Sequence, residues 1–375
     1  MGDRGSALLM GIFSPIVEPS GLRAHFPVLR ELAYLNAGTD GPLPQQAIAA
    51  ARAELEREAS DGRAMAHFER RSELAGLLRG EYARALGADA ADISLTTCTT
   101  EGMAHVIAGM DLSPGDEIIT SDEEHPGLLG ALGAAREIHG VTVREVPFAE
   151  VARAVGPKTV LIAVSHVGWV SGSLAPAELA EVEIPVLLDG AQGVGAVPVD
   201  VKALNCAAYS GAGQKWLCGP DGSGMLYLTP AFRETLAVPR RGYGNLVEAG
   251  LGLDATLQED GRRFDSPAMS AEATALALAS IEVLRSAGWH AVHERARRLA
   301  EQLAGMLAEH GRPPAPRGPT TLVSFLSEDA AAERLLLAEA GVVVRNIPGR
   351  PWLRASVGAW NDEGDLQRLV ENLAR

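Results

Sequence analysis

From Asp92 to about Thr229 the chain alternates short runs of aliphatic and β-branched residues with stretches whose apolar positions recur at helical spacing. The runs are Ile93-Ser-Leu-Thr, Glu117-Ile-Ile-Thr, Thr142-Val-Arg-Glu-Val, Val160-Leu-Ile-Ala-Val, Val186-Leu-Leu and Gly224-Met-Leu-Tyr-Leu. Several are apolar at almost every position, so both faces of the strand must be covered. That pattern predicts an α/β fold, a mostly parallel sheet with helices on both sides. Ligands of such sheets sit beyond the carboxyl ends of the strands.

Upstream, an irregular lead-in from Met1 to about Leu43 contains Tyr34-Leu-Asn-Ala-Gly, a short strand entering a turn. Helices are predicted from just after Pro44 to about Ser60 and from about Ser72 to Leu86. After about Gly261 the texture changes to two long helices, near Ala268 to Ser286 and Trp289 to His310. A smaller α+β piece follows, with strands at Thr321-Leu-Val-Ser-Phe, Val342-Val-Val-Arg and Trp352-Leu-Arg-Ala-Ser and helices from Asp329 and Asp362. There is no internal repeat and no low-complexity tract.

A chain of 375 residues with 47% hydrophobic content can bury a large core, usually as two domains. Its net charge of -15 argues against nucleic-acid and anionic-membrane partners, whose phosphates it would repel. Cys98, Cys206 and Cys218 are odd in number and lack C-x-x-C spacing, which points away from a zinc site or disulfide framework and towards a reducing cytoplasm. The apolar run Ala7 to Met10 is too short for a secretory core or a membrane span. Met1-Gly2 with Ser6 matches the loose myristoylation pattern, but Asp3 and Arg4 make coincidence the expectation.

Of the 33 basic residues only Lys158, Lys202 and Lys215 are lysines, which leaves 30 arginines. Lys215 stands in Tyr209-Ser-Gly-Ala-Gly-Gln-Lys-Trp-Leu-Cys-Gly-Pro-Asp-Gly-Ser-Gly224, where small neighbours leave room beside its amine. An amine can lose its proton when desolvated and form a Schiff base, which a guanidinium cannot do. Asp189 is the first polar residue of Pro185-Val-Leu-Leu-Asp, at a carboxyl end, where a buried carboxylate needs a cationic partner. Thr96-Thr-Cys-Thr-Thr-Glu-Gly-Met103 follows a strand and opens a helix, a geometry that binds phosphate through free amides. His125 lies just past the strand ending at Thr120.

Taken singly, each of these is also an ordinary turn lysine, helix cap or solvated histidine. Together they supply a phosphate seat, a flat ring, a buried carboxylate and an amine, the inventory that holds pyridoxal phosphate. No G-x-x-x-x-G-K-[ST], G-x-G-x-x-G after a strand, H-E-x-x-H or G-x-S-x-G motif competes.

The chain resembles the class V aminotransferases among the fold-type I pyridoxal-phosphate enzymes, a group that includes cysteine desulfurases, isopenicillin N epimerase-like proteins and carbon–sulfur lyases. The resemblance runs from about Tyr34 to the C-terminus. It is carried by Thr99-Thr100-Glu101, Glu124-His125, Ser165-His-Val, Asp189-Gly-Ala-Gln192, Ser210 to Gly219 and Arg354-Ala-Ser356. It implies a large domain over 38–262 with a mostly parallel seven-stranded sheet, a small α+β domain over 263–375, and an N-terminal segment, 1–37, packed on the small domain.

It also implies roles. Lys215 would form the Schiff base and shuttle the Cα proton, Asp189 would keep the pyridine nitrogen protonated, and His125 would stack on the ring. Gln192 would reach the phenolic oxygen, with Thr99, Thr100, Ser210 and Gln214 around the phosphate. Arg354 would take the α-carboxylate of an amino-acid substrate as a bidentate pair, and a homodimer with active sites at the subunit boundary would be expected.

Departures from the desulfurase pattern narrow the reaction. The loop Asn346-Ile-Pro-Gly-Arg-Pro351 holds no cysteine where desulfurases carry their nucleophile. Trp169 replaces an asparagine, which looks more like the lyase and epimerase branches and would line the substrate pocket. Arg263-Phe-Asp-Ser-Pro-Ala-Met269 replaces a Gly-Thr phosphate contact, Cys98 replaces a glycine, and Gln214 replaces a histidine. The expected activity is β-elimination from a cysteine S-conjugate to thiol, pyruvate and ammonia. Transamination, epimerisation and decarboxylating oxidative deamination are the alternatives, and a non-catalytic effector-binding domain is the reading from a different class.

Overall fold

In the computed structural model, which describes residues 18–373, short 3-10 turns over Pro19–His25 and Pro27–Arg30 lead into strand β1 (Ala33–Tyr34). The run Ala7 to Met10 and the Met1-Gly2 pattern lie outside the described residues. Helices α1 (Gln45–Asp61) and α2 (Met65–Leu86) precede β2 (Ile93–Thr96), α3 (Thr99–Gly109), β3 (Glu117–Ser121), α4 (Pro126–His139) and β4 (Thr142–Val146). Then come β5 (Thr159–Ser165), β6 (Val186–Asp189), β7 (Ala208–Ala212), β8 (Gly224–Leu228) and α5 (Pro230–Thr235). The chain continues through α6 (Ala271–Ser286), α7 (Trp289–Glu309), β9 (Leu322–Leu326), α8 (Ala330–Glu339), β10 (Val342–Val343), β11 (Arg345–Asn346), β12 (Trp352–Ser356) and α9 (Glu363–Glu371).

The large sheet has the order β2-β8-β7-β6-β5-β3-β4. Strand β8 runs antiparallel to both neighbours and every other pair is parallel. Adjacent apolar residues divide between its two faces, as a period of two requires. Ile119, Ile162 and Leu188 join Leu78, Tyr82 and Ile281 of α2 and α6, whereas Ile118, Leu161 and Leu187 join Val106 and Leu132 of α3 and α4. Continuous apolar runs therefore mark strands covered twice.

Strand β7 does not stand out in the hydrophobic pattern. Its residues Ala208-Tyr-Ser-Gly-Ala are mostly small, yet all five are buried. Neighbouring elements approach closely there: a Cβ on Gly211 would meet Val194 Cγ1 at 2.9 Å and Met225 Sδ at 3.0 Å. Helix α2 begins at Met65 instead of near Ser72, because polar residues in its first turns have tertiary partners. Arg70 pairs with Glu54 of α1 at 2.7 Å and Arg71 donates to the Met269 carbonyl at 3.0 Å.

The second sheet has the order β11-β12-β9, all antiparallel. Its core of Leu299, Leu303, Phe325, Leu353 and Leu366 includes Ala33 and Leu35 from the start of the chain. The single run Val342 to Arg345 is shared between two sheets, with β10 pairing with β1 and β11 with β12. Among the described residues, no helix is long and apolar enough to cross a membrane.

Candidate active site

A cavity of about 210 Å³ opens at the carboxyl edge of the large sheet, where residues from both sheets meet. Lys215, Asp189, His125, Thr99, Thr100, Gln214, Trp169 and Arg354 all line it. Eight of the ten residues singled out from the sequence thus converge on one space. Gln192 and Ser210 do not line it, because their polar atoms are used within the protein. Gln192 donates to the Gly38 carbonyl at 2.7 Å and accepts from Trp216 Nε1 at 3.0 Å. Ser210 Oγ donates to the carbonyls of Thr99 at 2.9 Å and Met225 at 3.3 Å, so it holds the start of α3 from behind.

Lys215 follows β7 on a tight connection and is half-buried at the cavity wall. Burial pulls its pKa down to about 8, with Arg354 and Arg345 acting in the same direction and Asp189 and Asp40 opposing them. Asp189 ends β6 and is 4% exposed, with Oδ1 accepting from the Ala191 amide at 2.9 Å. Burial raises its pKa, opposed by the charge of Lys215. A carboxylate that keeps only one backbone donor in a buried site suits a cationic N–H partner.

Helix α3 starts at the cavity wall with no side-chain cap at Cys98, so its first-turn amides face the space without intrahelical acceptors. The buried Thr99 Oγ1 and Gln214 Oε1 have no hydrogen-bond partner among the described residues. Glu101 shapes this turn from the side, accepting from the Thr97 amide at 2.6 Å, Thr97 Oγ1 at 2.7 Å and Ser266 Oγ at 2.5 Å, while Arg240 pairs with its other oxygen.

His125 caps α4, its Nδ1 accepting from the Gly127 amide at 3.0 Å. Burial, then the charges of Lys215 and Arg354, push its pKa down to about 4, so the ring is neutral at physiological pH. Trp169 meets it edge-on, with ring centroids 5.0 Å apart and planes at 86°. Behind His125, the buried Glu124 accepts from Ser121 Oγ at 2.5 Å and from Ser165 N and Oγ at 3.0 and 2.6 Å, tying the ends of β3 and β5 together.

Arg354 on β12 is 0% exposed and, among the described residues, has no carboxylate partner. Its Nη1 donates to the Trp169 carbonyl at 2.8 Å and its Nη2 to that of Gly38 at 3.3 Å, while Nε has no partner among the described residues. Burial, with Arg345 nearby, lowers its pKa to about 9, which still leaves it charged at neutral pH. A buried guanidinium with an unused donor calls for an anion. Gly38 allows this assembly, since a Cβ there would lie 2.7 Å from Ser356 Oγ and 3.1 Å from Arg354 Nη2.

Arg345, Asp40, Thr39, Gly38, Cys98 and Met103 line the same cavity. Arg345 was not legible as a site residue: one arginine among 30 carries no local signal, and only the register that sets it opposite Arg354 reveals it. Orphaned donors at α3, an acid and an amine buried together and a neutral imidazole fit the phosphate, the heterocycle and the aldehyde of pyridoxal phosphate.

The chain is similar over most of its length to known proteins. Isopenicillin N epimerase of Streptomyces clavuligerus is 30% identical, covering 90% of this chain and 93% of its own. A probable cysteine desulfurase of Pseudomonas aeruginosa is also 30% identical, covering 95% and 98%. Among solved structures, a C-DES mutant with glycine covalently linked to its PLP cofactor superposes with a TM-score of 0.87, at 27% identity over 93% of this chain and 98% of that one. The cystine C-S lyase C-DES in complex with its reaction product cysteine persulfide gives 0.86 at 27% identity, over 92% and 98%. The model of the family described as aminotransferase class-V matches residues 33–369, and the chain belongs to that family.

Proposed function

We propose that this chain is a pyridoxal-phosphate enzyme that eliminates the β-substituent of a cysteine S-conjugate, giving a thiol, pyruvate and ammonia. The observation that carries this reading is the fully buried, carboxylate-free Arg354 beside the desolvated Lys215, with no thiol on the loop over 346–351. The first pair suits Cα–H removal from an amino acid, and the missing thiol removes the desulfurase route.

When bound, pyridoxal phosphate supplies the electron sink that makes the Cα–H acidic. Asp189 would hold the proton on the ring nitrogen, and His125 and Trp169 would keep the ring in place and exclude water. The first turn of α3, with Thr99, Thr100 and Gln214, would hold the phosphate, and Ser210 would hold that turn. Arg354 would fix the α-carboxylate through Nη and Nε. Lys215 Nζ, its pKa lowered by burial, would take the Cα proton, the Cβ–S bond would break, the thiolate would leave to be protonated, and water would hydrolyse the remaining aminoacrylate to pyruvate and ammonia. Arg345 would face the end of the leaving group, which favours a substrate with an acidic tail over a small S-alkyl cysteine.

Epimerisation is the second reading, favoured by the Streptomyces clavuligerus relative. Purified holoenzyme given cystine, S-carboxymethylcysteine and other amino acids separates the two. Stoichiometric pyruvate with the thiol, or with the persulfide when the substrate is cystine, supports elimination. Wash-out of α-deuterium with racemisation and no pyruvate would overturn it.

Exposed apolar side chains on and beside the first helices, Leu55, Met65 and Phe68, together with Leu253, fit a homodimer, which light scattering of the purified protein tests. Three unpaired thiols fit a reducing cytoplasm.

A further inference from the structure

The residue after Lys215 is joined to the buried arginine of β12 by a chain of three hydrogen bonds. Trp216 is 1% exposed and packs among Leu22, Phe26, Val283 and Trp360, so its indole N–H must find an acceptor inside the protein. It donates to Gln192 Oε1 at 3.0 Å. Gln192, itself 4% exposed, donates through Nε2 to the Gly38 carbonyl at 2.7 Å, and the same carbonyl accepts from Arg354 Nη2 at 3.3 Å.

The chemistry of the indole fixes the direction of this chain. An indole nitrogen only donates, so the amide atom facing it has to be the oxygen, and the amide nitrogen is left to face Gly38. Without the indole N–H, Oε1 becomes a buried orphan. Turning the amide over would set that oxygen against the Gly38 carbonyl and push the carbonyl off Arg354. Gly38 has no slack to absorb the turn, since a Cβ there would lie 2.8 Å from Gln192 Oε1 and 3.1 Å from Arg354 Nη2.

The other arm of the guanidinium is held in the same way, with Nη1 donating to the Trp169 carbonyl at 2.8 Å. Two backbone carbonyls thus orient the fork without cancelling its charge, as an acid would. Bidentate recognition of a carboxylate depends on the plane of that fork. A Gln192 held in this way is not free for the phenolic oxygen of the cofactor, the role that the resemblance implied.

We propose that Trp216 and Gln192 are positioning residues for the substrate: the indole sets the amide, the amide sets the Gly38 carbonyl, and that carbonyl aims Arg354 at the α-carboxylate. This rests on the assignment of Arg354 to that carboxylate and is independent of the fate of the bound amino acid.

Glycine and methylamine differ only by the carboxylate and have no β-substituent to lose, so they test this by binding alone. Dissociation constants for holoenzyme, read from the cofactor absorbance, are expected to favour glycine in the native enzyme. Trp216→Phe should cut that preference by about fivefold, the scale of one hydrogen bond, by weakening glycine and leaving methylamine unchanged. Gln192→Met is close to glutamine in shape and lacks its polar atoms; it should cut the preference as far, and it carries the test alone if Trp216→Phe does not fold. The double variant should lose no more than the larger single loss, because both residues act through one carbonyl. An unchanged preference in a folded variant, an equal loss of both ligands, or fully additive losses in the double variant overturns the proposal. Equal loss is what a Gln192 bound to the cofactor would produce, and an unchanged preference is what a merely structural Trp216 would produce. A native enzyme that does not prefer glycine overturns the assignment of Arg354 and the proposal with it. If the preference shifts as expected but no cysteine S-conjugate yields pyruvate, the relay stands and the elimination reading falls. If pyruvate appears while the variants keep the native preference, the relay falls and elimination stands.

Discussion

Gly102→Ala tests whether the phosphate-binding end of α3 is set by its contact with β7. A Cβ at Gly102 would lie 2.2 Å from Ser210 Oγ, 3.1 Å from Ser210 Cβ and 3.3 Å from Leu226 Cβ. Turning the Ser210 hydroxyl away forfeits the one proton it shares between the Thr99 and Met225 carbonyls, at about 1 kcal/mol if unreplaced. Shifting the helix instead is an overpacking cost of about 1–3 kcal/mol. The better helix propensity of alanine returns about 1 kcal/mol. A net loss of up to about 2 kcal/mol follows, or a fall in melting temperature of roughly 2–4 °C per kcal/mol for a large domain.

Because Thr99 and Thr100 form the first turn of the same helix, the shift should also weaken pyridoxal-phosphate binding, by about tenfold if one charge-assisted bond is lost. Gly130→Ala is the internal control. It also lies within a helix, α4, but its added methyl meets nothing within 4 Å, so it should stabilise by about 0.5–1 kcal/mol. Thermal melts of both apoenzymes and cofactor titrations decide the matter. Ser210→Gly in the Gly102→Ala background should restore both properties in part. If Gly102→Ala raises stability as Gly130→Ala does, with cofactor affinity unchanged, the close-contact reasoning is wrong.

Lys215→Ala removes the only amine that lines the cavity among the described residues; turnover should fall by at least about a thousandfold, and borohydride should no longer fix the cofactor to the chain, as mass spectrometry would show. Burial raises the Glu124 carboxyl to about 7, so this group contributes stability that is fully present below its unfolded value near 4.5 and is lost as pH rises through 7. Glu124→Gln can keep the same serine contacts without ionising, so its stability relative to the native protein should improve steadily from pH 4.5 to 7 and level off above; a pH-independent difference in denaturant midpoints counts against the assignment. Trp169→Ala removes the edge-on contact to His125, worth about 0.5–1.5 kcal/mol, and should broaden side-chain selectivity while weakening cofactor binding. An unchanged substrate profile in that variant would show that the indole is not a wall of the substrate pocket.

Much of this protein can be read from the order of its residues. Runs such as Val160-Leu-Ile-Ala-Val and Val186-Leu-Leu announce doubly covered strands because burial on both faces removes the usual polar alternation. Asp189 declares itself as the polar residue that ends such a strand, Thr99 by opening the helix after one, and Lys215 through the rarity of lysine here. These are local properties, set by the period of the backbone and the chemistry of single side chains. Strand β7 escaped that reading because its small residues reflect how closely α3 and β8 approach, and closeness is a property of pairs distant in sequence. Gln192 and Ser210 carry the right chemistry, yet the fold commits them to Trp216, Gly38 and the start of α3. Arg345 and Asp40 gain their place only when β11 pairs with β12 and the loop over 36–41 lies against Lys215. Which charges share a cavity is decided by long-range register and packing, and no local pattern encodes it.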